Sequence, residues 1–217
     1  MDRGQIIKNS NRKWLISYVI LHVVLFALFA AIVDPTFDEI NSLLSKIKSP
    51  AGLFPLISFP FVIVLEGIIH SNHKAMLVFW RRKNPLPGCR AFSDIAPNDP
   101  RISMEHLKKM YPEGMPENPK EQNAAWYDLY KQHQNKPIVY DAHRFFLLTR
   151  DLAVMTFILM PFCIVAHLFW KSAPTTIGYH VLTLAVIAIL VCLSAQSYGK
   201  RLVENVFAEA TTSKGKD

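Results

Sequence analysis

The stretch LAVMTFILMPFCIVAHLFW, residues 152–170, contains no Asp, Glu, Lys or Arg. A helix of about 20 apolar residues is long enough to cross the hydrocarbon core of a bilayer, which is about 30 Å thick. A helix satisfies its own backbone hydrogen bonds, whereas an open sheet edge would leave polar groups in lipid. The stretch therefore predicts a transmembrane helix in an all-helical membrane protein.

Three further stretches have similar length and composition: residues 14–33, 51–69 and 177–195. Only one of them carries a charged residue, Glu66. A chain of 217 residues that is 51% hydrophobic has room for four such helices and a modest soluble part. We therefore predict an all-α membrane protein with four transmembrane helices in two hairpins, residues 14–70 and 152–197.

The basic residues next to these stretches predict their orientation. Lys and Arg are concentrated in residues 1–13, at both ends of the segment 71–151, and shortly after residue 197. The connection 34–50 has only two lysines beside three acidic residues. Lys and Arg are enriched in cytoplasmic loops. We therefore expect the N-terminal tail, the segment 71–151 and the C-terminal tail 198–217 to be cytoplasmic, which also accounts for much of the net charge of +7.

The segment 71–151 is expected to form a small, mainly helical and loop-rich cytoplasmic domain. Half of the chain's 14 prolines lie in residues 84–119, which excludes long regular elements there apart from a short helix near residues 104–110. Residues 73–83, HKAMLVFWRRK, are predicted to continue the second span as an amphipathic or interfacial helix.

The second half of this segment predicts helix from residue 121 to residue 150. Pro137 should break or kink it, because proline lacks the backbone N–H and clashes with the preceding turn. From about Val139 the helix is expected to run unbroken into the third span. Such a helix would couple the domain to the membrane.

The stretch LEGIIHSNH, residues 65–73, suggests a metal site. In one continuous helix, spacings of four and three residues would place Glu66, His70 and His73 on the same face. Carboxylate and imidazole are good zinc or iron ligands. The alternative is that Glu66 forms an ion pair or hydrogen bond between helices or subunits, and we favour it because membrane di-iron enzymes require several histidine clusters.

Four polar side chains are predicted to lie within the spans: His22, Glu66, His167 and His180. Polar groups in spans face the bundle interior or a pore, and they hydrogen-bond there or move protons. We favour buried interhelical hydrogen bonds for the three histidines over a proton path.

The segment NPLPGCRAFSDIAPNDPR, residues 84–101, is predicted to be an ordered loop. Arginine binds phosphate and carboxylate groups through two parallel hydrogen bonds. One hypothesis is therefore a nucleotide or phosphate pocket with five basic residues: Arg90, Arg101, Lys108, Lys109 and Arg144. The alternative, which we favour, is a subunit interface held by Arg–Asp pairs. The charge is too moderate for duplex nucleic-acid binding.

Known catalytic and cofactor patterns are absent from the sequence. It has no GxSxG, P-loop, GxGxxG or HExxH pattern, and its three cysteines are widely spaced without CxxC. We therefore expect no cofactor and no enzymatic activity.

In layout, and in the segments PLPGCRAFS (85–93), DPRI (99–102), WYDLY (126–130) and DAHRFF (141–146), the chain resembles small four-span membrane subunits of bacterial anti-phage systems. Examples are the Kiwa-type membrane subunit and effectors gated by oligonucleotide second messengers. The resemblance implies a bacterial inner-membrane location, a homo-oligomer, often a tetramer, and a partner protein encoded beside it.

The function expected from these observations is an oligomeric inner-membrane sensor or pore-forming effector in anti-phage defence. Its cytoplasmic domain would receive a partner or a small anionic ligand. Two alternatives stay open: a metal-dependent membrane enzyme using Glu66, His70 and His73, and a scaffold that anchors a soluble partner to the membrane.

Overall fold

The computed structural model describes residues 3–30 and 61–212, and within them it contains helices and no strand. The main helices are α1 (Arg3–Leu28), α2 (Phe61–Ile68), α3 (Ser71–Phe79), α4 (Met104–Met110), α5 (Pro119–His133), α6 (Pro137–Trp170) and α7 (Pro174–Thr212). Three short helical turns lie between α3 and α4: Pro87–Arg90, Ala91–Ile95 and Ala96–Asn98. The all-helical class is as predicted.

Three helices are long and apolar enough to cross a membrane: α1, α6 and α7. Many large apolar side chains on these helices are exposed, including Ile20, Leu168 and Leu190, each more than half exposed. An apolar exterior of this kind is costly in water and is normal in lipid. These features are consistent with a membrane protein.

The second predicted span, residues 51–69, lies partly outside the described residues. Its described end is α2, and a break at Ile69 and His70 separates α2 from α3. These two helices satisfy the length and hydropathy requirement only when the bent pair is counted as one span. The amphipathic or interfacial helix predicted at residues 73–83 corresponds to α3, which begins at Ser71, ends at Phe79 and is bent by 96° from α2.

Chain contacts divide the protein into two compact units. Unit 1 comprises the described residues up to 70 together with 151–191, and unit 2 comprises 71–150 together with the described residues from 192. In unit 1, Val19, Val62, Met155 and Leu159 form one buried cluster. A second cluster contains Phe26, Ala30, Ala166 and Trp170. These clusters join α1 to α6, and the first also includes α2.

Unit 2 differs from the predicted soluble segment 71–151 by including the end of α7. The predicted C-terminal tail, 198–217, is helical up to Thr212 in its described part. Its apolar residues Leu202, Val203, Val206 and Phe207 are buried. The run LVENVFAEA alternates polar and apolar residues at helical spacing, so one face can join a core. This part of the chain is therefore structural and not a free tail.

The proline positions predict the helix boundaries of unit 2 well. The short helix at Met104–Met110 is present, and Ser103 caps it by accepting a hydrogen bond from the His106 N–H. The helix preceding Pro137 ends at His133, and α6 begins at Pro137 and continues to Trp170. Proline is well accommodated in a first helical turn, where its missing N–H has no partner to lose.

Candidate functional site

Residues 84–101, which were predicted to be an ordered loop, contain the three short helical turns. The buried side chain of Gln122 forms hydrogen bonds that hold these turns in place. The Gln122 side-chain oxygen accepts hydrogen bonds from the Phe92 N–H at 3.1 Å, the Ser93 N–H at 3.2 Å and the Ser93 hydroxyl at 3.2 Å. Its amide nitrogen donates to the Glu117 carbonyl at 2.8 Å. Gln122 is only 2% exposed, so these bonds hold the turn against α5 from the inside.

Two glycines allow close packing around this segment. A Cβ atom at Gly88 would overlap the side chain of Asn123 and lie 2.9 Å from Trp126. A Cβ atom at Gly199 in α7 would lie 2.8 Å from the Phe79 ring and 3.1 Å from the Phe146 ring. The backbone therefore approaches its neighbours more closely than any larger residue permits.

Unit 2 contains a cavity of about 320 Å³. Its lining includes three basic side chains, those of Arg81, Arg90 and Lys200, and one carboxylate, that of Asp94. The remaining lining residues are Phe79, Trp80, Pro87, Ile95 and Gln196. The Gln196 amide donates to the Val78 carbonyl at 2.7 Å, which joins α7 to α3 at the cavity wall. The cavity thus combines excess positive charge with aromatic surface.

Arg90 is more buried than the other two basic residues of the cavity, since Arg81 is exposed and the Lys200 side chain is 55% exposed. The Arg90 side chain is 26% exposed, and its Nε is buried without a hydrogen-bond partner. Burial, and after it the charge of Arg81, lower the pKa of the guanidinium, while Asp94 at 3.7 Å acts in the opposite direction. The positive charge of Arg90 is therefore only partly compensated. An anion bound in the cavity would reduce the free-energy cost of burying this charge.

Trp80 has an unusual backbone conformation at the cavity edge. Its φ is +53°, in the left-handed region that bulky residues rarely adopt, and its side chain is 59% exposed. Strained residues of this kind persist only where the surrounding structure holds them, and they cluster at ligand sites. Here the conformation ends α3 and leaves an indole ring beside the basic groups.

Arg101 takes part in a separate network. Its guanidinium donates to Asp99 from Nε to Oδ1 at 3.1 Å and from Nη2 to Oδ2 at 2.7 Å, and it also donates to the Asn205 side-chain oxygen at 3.2 Å. Glu204 lies at 3.7 Å. The Asn205 amide in turn donates to the Ile138 carbonyl at 3.3 Å. Arg101 therefore ties the turn after residue 98 to α7, and the Arg–Asp pairs at Arg90 and Arg101 lie within one chain.

The other three predicted ligand residues also lie outside the cavity lining. Lys108 and Lys109 are exposed on α4, where Lys109 pairs with Glu105 at 2.7 Å. Arg144 lies on α6 over the Phe145 ring. Arg81 and Lys200 were not predicted as site residues, because both belong to basic clusters that the orientation of the spans already explained. Nothing in their spacing indicates that they share a cavity with Arg90.

The three candidate metal ligands do not share one helix. Glu66 is in α2, His70 is in the break, and His73 is in α3, so the single helical face expected from their spacing is not formed. Among residues 3–30 and 61–212 no group of three or more His, Cys, Asp or Glu side chains is arranged to hold a metal. The described structure therefore adds no support to a metal enzyme.

Two of the three histidines that were predicted to lie in the spans, His167 and His180, contact each other within unit 1. His167 Nε2 lies 2.9 Å from His180 Nδ1, and His167 Nδ1 lies 3.0 Å from the Ser172 hydroxyl. His22 Nδ1 lies 2.8 Å from the Tyr18 carbonyl oxygen. The Phe26 ring contacts both His167 and His180. The contact between His167 and His180 joins α6 to α7. The contact of His22 with the Tyr18 carbonyl lies within α1.

The chain matches no protein-family model, no curated protein and no solved structure.

Proposed function

We propose that the protein is a membrane sensor that binds a small anionic ligand in the cavity of unit 2. The observation that carries the proposal is the convergence of Arg81, Arg90 and Lys200 on one cavity, with a single carboxylate among its lining residues. A cavity of about 320 Å³ has the size of a small-molecule site.

The nature of the ligand follows from the lining. Guanidinium groups form paired hydrogen bonds with phosphate or carboxylate oxygens, and an ammonium group adds a point charge. Phe79 and Trp80 offer apolar surface for the rest of the molecule. A phosphate-bearing small molecule satisfies both features. Unit 2 would be cytoplasmic, where such molecules are abundant.

The test is calorimetric titration of the full-length protein in lipid nanodiscs with inorganic pyrophosphate at low ionic strength. We expect binding to the unaltered protein and at least tenfold weaker binding to Arg90→Gln, a loss of about 1.4 kcal/mol. The reason is that Arg90 is the partly buried donor with an unsatisfied Nε.

Lys108→Gln is the matched control, because it removes one positive charge from an exposed position outside the cavity lining. Its affinity for pyrophosphate should change by less than about twofold, since exposed charges are screened by solvent and salt. Equal losses for both variants would mean that pyrophosphate responds only to net charge, and the site would be abandoned.

The resemblance to four-span defence subunits supports a role in sensing infection, as a homo-oligomer that acts with a neighbouring partner. Cells carrying the protein with its partner should then resist phage infection, and Arg90→Gln should remove the resistance at unchanged protein level. The mass of the detergent-purified particle tests the assembly. A monomer would contradict the oligomeric part of the proposal.

A further inference from the structure

The cavity of unit 2 lies close to the point where the apolar run of α7 ends. Gln196 and Lys200 line the cavity, and Lys200 is the first charged residue of α7. The apolar run ends at Ala195, so at 1.5 Å per residue both residues lie within about 8 Å of its end along the helix axis. Leu193, in the last turn of the run, is 47% exposed. In a membrane, hydrocarbon gives way to polar headgroups where such a run ends.

The end of α3 is held at the same level of α7. The Gln196 amide donates a hydrogen bond to the Val78 carbonyl at 2.7 Å. Phe79, Trp80 and Arg81 follow Val78 directly, and all three line the cavity. The Trp80 side chain is 59% exposed. Tryptophan and basic residues together are typical of the cytoplasmic membrane–water interface, so this wall of the cavity has the composition of an interfacial site.

A second group of aromatic and basic side chains lies at this level of α7. Tyr198 is midway between the two α7 residues that line the cavity, and a spacing of two places it on a different face of the helix. Its ring stacks on Phe145 with centroids 5.2 Å apart, and the Arg201 guanidinium lies 5.6 Å from its centroid. The Arg144 guanidinium lies 5.5 Å from the Phe145 centroid. Rings and cations on two faces of one helix form the belt expected where headgroups meet water.

The charged groups at the cavity leave an excess of one positive charge. Three cations line it: Arg81, Arg90 and Lys200. Two carboxylates oppose them, since Asp94 lies 3.7 Å from Arg90 and Glu204 lies 3.5 Å from Lys200. The site therefore suits an anion with a single negative charge.

Arg101 does not alter this balance. It lies 3.7 Å from Glu204, but it is already paired with the Asp99 carboxylate at 2.7 Å. A phosphodiester carries one negative charge and has free oxygens that accept hydrogen bonds from a guanidinium. The buried Nε of Arg90, which has no hydrogen-bond partner, is an available donor at the cavity.

We propose that the cavity binds the phosphodiester headgroup of an anionic phospholipid from the surrounding bilayer, an inference that rests on the anion site proposed above and names its ligand. The phosphate would contact Arg90 and Lys200, and the glycerol part would lie beside Trp80. The acyl chains would stay in the bilayer next to the apolar run of α7. Basic pockets at the cytoplasmic ends of membrane helices bind lipid headgroups in this way. A soluble phosphate compound shares the chemistry of the headgroup, so the test has to separate the two sources.

The test is native mass spectrometry of the full-length protein in a neutral detergent, with phosphatidylglycerol and phosphatidylcholine of identical acyl chains added in equal amounts. Both lipids contain a phosphodiester, but the choline group adds a positive charge. We expect one phosphatidylglycerol per subunit, retained about tenfold more than phosphatidylcholine, which corresponds to about 1.4 kcal/mol. Excess inorganic pyrophosphate should displace the phosphatidylglycerol, because both would occupy the same cavity.

Arg201→Gln is the matched control for Lys200→Gln. The two residues are neighbours in α7 and both are exposed, but only Lys200 lines the cavity. Lys200→Gln and Arg90→Gln should each reduce the retention of phosphatidylglycerol about tenfold. Arg201→Gln should reduce it by less than about twofold, because an exposed charge outside the cavity is screened by solvent and salt.

Three results would overturn the lipid assignment: equal retention of the two lipids, equal losses in Lys200→Gln and Arg201→Gln, or phosphatidylglycerol that pyrophosphate does not displace from the unaltered protein. The displacement experiment uses no variant, so its result does not depend on whether a variant folds. If calorimetric binding of pyrophosphate still requires Arg90, these results reject the lipid and leave the anion site in place. If pyrophosphate binding does not require Arg90, the anion site and the lipid assignment are both rejected.

Discussion

Single side chains in unit 2 hold segments that have little regular structure of their own. Gln122 accepts three hydrogen bonds from the turn at residues 92 and 93, and Arg101 joins Asp99 to Asn205. Each bond contributes only about 1 kcal/mol net, but leaving a buried partner unsatisfied costs more. The proline-rich segment is therefore ordered by a few specific partners.

The Asp99–Arg101 pair predicts a pH-dependent contribution to stability. The hydrogen bonds from Arg101 lower the pKa of the Asp99 carboxyl below its ordinary value of 3.8. A carboxyl group whose pKa is lower in the folded protein than in the unfolded protein stabilises the fold at pH values above its unfolded-state pKa. This stabilisation is lost as the pH falls through the folded-state pKa. Asp99→Asn should therefore reduce the free energy of unfolding by about 1 kcal/mol at pH 7, after allowance for solvent screening of the half-exposed Arg101.

Thermal unfolding of the full-length protein between pH 7 and pH 3 measures this effect. The difference in melting temperature between Asp99→Asn and the unaltered protein should become smaller below pH 3.8. Glu105→Gln is the control, since that carboxylate is exposed in its pair with Lys109 and should not change the melting temperature. A pH-independent difference would show that the ionised carboxylate is not what stabilises this turn.

Close packing between helices sets the shape of the cavity in unit 2. Phe79 lies at the end of α3, and its ring meets the backbone of α7 at Gly199. The same Phe79 lines the cavity. A residue larger than glycine at position 199 would have to displace the Phe79 ring, which forms part of the cavity lining.

Gly199→Ala should therefore lower stability and weaken pyrophosphate binding. The added methyl group would lie 2.8 Å from Phe79 and 3.1 Å from Phe146, and overpacking of this kind costs about 1–3 kcal/mol. Thermal unfolding and the same calorimetric titration measure both effects.

Gly178→Ala is the control for this substitution. It adds the same methyl group to the same helix, where nothing lies within 4 Å. It should leave stability unchanged or raise it by up to about 1 kcal/mol, because alanine favours the helix. Equal destabilisation by both variants would show that the close contact with Phe79 is not the cause.

At the scale of the whole molecule, two long helices contribute to both units. α7 has 39 residues, a length of about 58 Å at 1.5 Å per residue, which is nearly twice the thickness of a bilayer core. Its first part is apolar outside, and its last part buries Leu202, Val203, Val206 and Phe207 in unit 2. The end of the helix is therefore part of the core of unit 2.

Deletion of residues 198–217 should for this reason unfold much of unit 2. The loss of a fully buried Phe207 side chain alone would cost about 3–5 kcal/mol. Limited proteolysis should then cleave residues 71–150 at least tenfold faster than in the full chain. Deletion of residues 213–217 alone should have no effect, and equal resistance of both truncated proteins would contradict the assignment of α7 to unit 2.

The sequence by itself determined the helical class, three of the candidate spans and the helix break at Pro137. These features depend on local properties: the length of apolar runs, and the inability of proline to donate a backbone hydrogen bond. The break at Ile69 and His70 was not predicted, because no proline marks it and neither residue strongly disfavours helix.

Only the tertiary structure decided which basic residues share a cavity. Arg81, Arg90 and Lys200 lie far apart in the chain, and their spacing carries no information about a common site. The same holds for the pairing of His167 with His180, since both are at interior positions of apolar helices that could face any partner. Long-range packing selects one arrangement among many that the apolar pattern allows equally, so these contacts appear only when the helices are placed together.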